Sequence, residues 1–94
     1  MEKDLEFTSI EKDTVNAVCK LAREQKFEDE FVYLALAEWD KDLKSGKEFM
    51  WHGKISRADS IRFDIANILA SVKIFSNLHK LLHKDWLLIQ DSPV

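Results

Sequence analysis

Apolar residues recur every three to four positions from Ile10 onward. At 100° per residue Ile10, Thr14, Ala17, Val18, Leu21 and Ala22 fall on one side, and Lys12, Asn16, Lys20 and Arg23 on the other. This predicts an amphipathic helix over 9–26, opened by Thr8-Ser9-Ile10-Glu11, which reads as a capping box in which hydroxyl and carboxylate satisfy reciprocal backbone donors. A second helix is predicted over 28–44. Glu28, Asp29 and Glu30 place negative charge at its positive end, Val32, Leu36, Trp39 and Leu43 form its stripe beside Phe31 and Ala35, and Ser45-Gly46 supplies a left-handed stop.

Between 47 and 55 the pattern breaks. Phe49-Met50-Trp51 is too short for its period to be read and His52-Gly53 looks like a turn, so the segment is a short strand or an ordered loop. As a strand it would pair with Leu5-Glu6-Phe7 or with 85–90, where Trp86-Leu87-Leu88-Ile89 is strand-compatible. Ser56-Arg57-Ala58-Asp59 is a second cap signature, and no Gly or Pro follows it up to Lys84. A third helix is therefore predicted over 57–83, roughly 40 Å long at 1.5 Å per residue, with a break conceivable at 77–80. The fold class is mainly α: a three-helix bundle in one domain spanning 1–94, with an optional short β pairing.

The third helix is apolar on two sides. Ala58, Ile61, Ile65, Ile68, Val72 and Phe75 make one face; Phe63, Ala70, Ile74, Leu78 and Leu81 make a second, nearly opposite. One face suffices for a helix at the edge of a monomer. The second must meet either the other helices or another molecule, and self-association through it is an expectation of equal standing with burial by the first two helices. Between the faces Arg62, Lys73, Lys80 and Lys84 project as a basic stripe, which is either a solvated edge or a contact for acidic groups.

Composition then narrows the picture. Ten aromatics and 46% apolar residues supply a core without metals or disulfides, and two Gly with one Pro provide few of the tight turns that sandwiches and barrels use. One cysteine, Cys19, excludes an intrachain disulfide, and the acidic, alternating start is unlike a secretory leader, so a reducing cytoplasm is expected. The apolar runs Val32 to Ala37 and Trp86 to Ile89 fall far short of the roughly 20 residues that cross a bilayer. Net charge is −3, unevenly placed: residues 1–30 carry nine acids against five bases, and residues 47–84 carry seven bases against three acids.

Candidate chemistry is thin. His79 and His83 stand at i and i+4, compatible with a metal that would take His52 or Asp64 as a third ligand, yet the position after His79 is Lys80 rather than the glutamate of a zinc protease. Cys19 is flanked by Val18 and Lys20 with no local base. The acids Glu28, Asp29, Glu30, Glu38, Asp40 and Asp42 project mostly toward solvent and do not make an acid–base pair. No metal, cofactor or catalytic residue is expected. Phe49, Met50, Trp51 and Trp86, lying outside the best-defined helical periods, either plug the open end of the bundle, the reading favoured slightly, or are candidate partner anchors, and Glu38, Asp40 and Asp42 are candidate acidic contacts to a basic surface. The leading reading is a non-catalytic interaction protein that binds and modulates another protein, in the manner of small bacterial or phage regulators and inhibitors, and that forms a homo-oligomer. The alternatives are a dimeric nucleic-acid-binding regulator, disfavoured by the net negative charge, and a structural subunit of a larger assembly.

Overall fold

The computed structural model describes the backbone over residues 7–91 and side chains through residue 82. Three helices follow one another, α1 (Lys12–Glu24), α2 (Asp29–Lys44) and α3 (Arg57–Asp91), and each packs on the other two. Val18 and Ala22 of α1, Leu36 of α2, and Ile68 and Val72 of α3 meet at the centre, all essentially without solvent contact. These are positions of the predicted inner faces.

The start of α1 departs from the predicted capping box. Glu11 is the N-cap and makes no side-chain cap bond. The backbone N–H groups of Ser9 and Ile10 donate instead to Asp40 Oδ1 of α2, at 2.8 and 3.2 Å. With Ile10 buried and two consecutive amides held by one carboxylate, the chain bends over 8–10 and enters the helix only after Glu11, whose own carboxylate reaches Arg57 at the start of α3. A tertiary contact here displaces a local one.

The helix ends follow backbone rules. After α1, the N–H of Lys26 donates to Arg23 O (2.9 Å) and that of Phe27 to Ala22 O (3.0 Å), a Schellman motif whose left-handed residue is Lys26 at φ 66°. After α2 the same two bonds run from Gly46 to Leu43 O and from Lys47 to Asp42 O, with Gly46 at φ 90°, as Ser45-Gly46 predicted. At α3 the Ser56 hydroxyl accepts from Asp59 N–H at 3.1 Å, so that cap signature holds.

The optional β pairing is not formed: among the described residues there is no strand. Residues 50–54 form successive turns, closed by His52 N–H to Phe49 O and Lys54 N–H to Trp51 O, with Gly53 at φ 79°. Of the expected strand partners, Phe7 has its ring 5.8 Å from that of Tyr33, and 85–90 belong to α3. Leu5 and Glu6 lie outside the described residues. Helix α3 therefore passes its predicted end at 83 and is unbroken at 77–80. Its 35 residues amount to about 52 Å, against about 24 Å for α2 with 16. Among the residues whose side chains are described, Ser76 and His79 are the last of α3 that meet the bundle, Ser76 by burial and His79 against Phe31.

Candidate functional site

Helix α3 turns Ile65, Ile68, Val72 and Phe75 into the core, and the residues about 180° away are left uncovered. Phe63 is 50% exposed, Ile74 57%, Leu78 49% and Leu81 59%, with Ala70 exposed among them. The second apolar stripe thus faces outward, and α1 and α2 do not bury it. Leu82, at 66%, widens its lower end; it was missed because the projection puts it beyond the stripe's edge, and only the doublet Leu81-Leu82 hints at it. Two polar residues, Asn67 and Asn77, share this face, and Asn67 gives its Nδ2–H to Phe63 O one turn back at 2.8 Å. That bond occupies part of its amide within the helix and lowers the cost of covering it.

Along one edge of the stripe run Arg62, Lys73 and Lys80, all exposed. Arg62 reaches Asp59 at 3.3 Å in an exposed pair, while Lys73 and Lys80 have no carboxylate within ion-pair distance among the described residues. Lys84 continues this edge in sequence; its side chain lies outside the described residues.

The upper end of the stripe joins an aromatic cluster. Trp39 and Phe49 stack with centroids 4.1 Å apart and planes 5° from parallel, Trp51 stacks on Phe49 at 5.3 Å, and Phe63 leans on Trp51 at 5.7 Å. Asp64 of α3 holds the cluster by accepting from Trp51 Nε1–H at 2.8 Å, with His52 Nε2 at 2.9 Å from the same oxygen. Phe49 and Trp51, expected as partner anchors, are partly buried against the core and fasten the 47–56 loop to α3. Met50 between them is 78% exposed. Trp86 lies on α3, its side chain outside the described residues.

Of the acidic candidates, Asp40 must be corrected from a surface contact to a buried anchor, 3% exposed, bonded to two backbone amides and to Lys44 Nζ at 2.9 Å. Burial raises its pKa, but the Lys44 ammonium and the two amides outweigh burial and leave it below the ordinary carboxylate value. Asp42 pairs with Lys47 at 3.6 Å, and Glu38 is exposed on α2.

Catalytic and metal readings gain no geometry. His52 and Asp64 bond to each other near the start of α3, and fifteen residues of helix, about 22 Å, separate Asp64 from His79, so neither completes a site with it. Among the described residues no three potential ligands converge. Cys19 is half-buried against the core, and burial is the main cause of a thiol pKa above its ordinary value, with Arg23 opposing and Asp29 adding to it. A shallow cleft of about 400 Å³ lies between the α1–α2 turn and α3, lined in part by Lys26, Glu28, Phe31, Ser76 and His79; Glu28 is its sole carboxylate among the described residues. No described helix is long and apolar enough to cross a membrane.

The chain matches no protein-family model, and no curated protein or solved structure is significantly similar to it.

Proposed function

We propose that this protein is a non-catalytic interaction module that binds another protein through the outward face of α3 and modulates it by occupying its surface. The observation that carries this reading is the exposed stripe of Phe63, Ala70, Ile74, Leu78 and Leu81 on the helix around which the bundle is built. Its four large side chains and Leu82 expose about 100 Å² each, roughly 500 Å² together, which is the size of the largest apolar patches on monomeric proteins and often marks a binding surface. A matching partner surface would bring the total buried to roughly 1,000 Å², the lower limit of a specific interface. The stripe is straight because a single helix supplies it, and such a face accepts another helix readily.

The acidic contacts expected from sequence contribute less to this reading, since Asp40 is internal and Asp42 is paired within the chain. A reducing cytoplasm suits the lone thiol of Cys19. The proposal is tested by affinity capture from the native source with wild type and Ile74→Asp as parallel baits. Partners retained by wild type and lost by a variant of unchanged helicity support it; identical sets of proteins on both baits overturn it.

A further inference from the structure

Resting on the reading of this face as a docking surface, we propose that its occupant is an amphipathic helix of another protein, with an apolar stripe edged by carboxylates, rather than a second copy of this chain. From Phe63 to Leu81 the face runs about 27 Å, or five turns, which sets the length of helix that would cover it. Ala66 and Ala70, both exposed, lie between the bulkier Phe63 and Ile74, and such small side chains let an opposing helix approach closely.

Charge chooses between occupants. Between Asp64 and Asp85 the chain has no acidic residue at all, while Lys73 and Lys80 stand on one edge of the stripe with Arg62 above them. The opposite edge carries Asn67 and Ser71. When two copies of such a helix pair antiparallel, like edges face each other and lysines meet lysines. When they pair parallel, Lys73 and Lys80 face an edge whose described members Asn67 and Ser71 carry no charge, Asp64 being held by Trp51 and His52. A helix with glutamates or aspartates beside its apolar stripe gives Lys73 and Lys80 carboxylates at ion-pair distance, which neither has among the described residues; Glu28 lines the same cleft as Lys80 without pairing with it.

Two synthetic 18-residue helical peptides provide the test. They share one Leu/Ile stripe, flanked on both edges by Glu in one and by Lys in the other, and each is labelled with fluorescein and titrated with the full chain by anisotropy. The Glu peptide is expected to bind at least ten-fold more tightly at about 50 mM salt, with the gap narrowing at about 500 mM as screening lengths shorten. The double variant Lys73→Glu/Lys80→Glu should reverse the preference, and Ile74→Asp should weaken both peptides with an unchanged circular dichroism spectrum. Equal binding of the two peptides, or a wild type that light scattering shows to be a dimer split by Ile74→Asp, overturns the acid-edged partner but leaves the face a docking surface. A monomeric wild type that binds neither peptide overturns the partner and the docking reading together.

Discussion

Asp40 shows what one side chain does in this fold. Its carboxylate replaces the cap that Thr8-Ser9-Ile10-Glu11 would have made, ties the entry of α1 to α2, and takes Lys44 as counter-ion. Because its folded pKa is depressed, the stability it contributes is fully present above the unfolded value near 4 and is lost as pH falls below that through the folded value. Asp40→Asn should therefore cost about 1–3 kcal/mol at neutral pH. The difference from wild type should shrink below pH 4 in urea melts followed by circular dichroism; a cost that stays constant down to pH 2 would show that the charge is irrelevant. Lys26 offers a change in the other direction. It holds a left-handed φ of 66° in a position glycine fills without strain, as Gly46 does after α2. Lys26→Gly should raise stability by up to about 1 kcal/mol, read as a higher urea midpoint with an unchanged slope.

At the scale of elements, the helices were legible in the sequence because a period of 3.6 is a local property, and the inner faces around Val18, Leu36 and Ile68 follow from it directly. What was not legible depends on contacts distant in sequence. Asp40 reads as a solvent-facing acid because its 31-residue reach to Ser9 leaves no trace in spacing, and whether Phe49 and Trp51 close the bundle or meet a partner stays open in the sequence because their stack on Trp39 and bond to Asp64 are tertiary. The two-sided character of α3 was visible, but whether α1 and α2 covered one side or both was a matter of packing. Both are short, and they lie on the Ile68 side. Paired substitutions exploit this. Ile68→Asp places an unpaired charge at a fully buried position and should abolish the cooperative transition. Ile74→Asp, on the outward face, should shift stability by no more than about 1 kcal/mol. Comparable thermal losses in the two variants would mean that the outer stripe is covered within the monomer after all.

For the whole molecule, the distribution of charge matters more than its sum. The acids concentrate in the first thirty residues, whereas Arg62, Lys73 and Lys80 line a single edge of α3. That edge bears on the nucleic-acid alternative. Counterion release supplies most non-specific affinity for a phosphate backbone, with a salt slope near −0.9 per phosphate neutralised. Arg62, Lys73, Lys80 and Lys84 are four groups spread over 23 residues of one helix, or about 33 Å, and Arg62 is partly compensated by Asp59. They limit the slope to no steeper than about −4, and the carboxylates elsewhere on the chain oppose approach to a polyanion. The chain should accordingly show no binding tighter than about 10 μM to mixed-sequence duplex DNA at 150 mM salt, and whatever weak binding appears at 20 mM should vanish in Lys73→Glu/Lys80→Glu. Fluorescence anisotropy of a labelled 25-base-pair duplex across a salt series measures both. A submicromolar complex with a slope steeper than −4 would require basic surface beyond this edge and would make the nucleic-acid regulator the better account of the exposed face of α3.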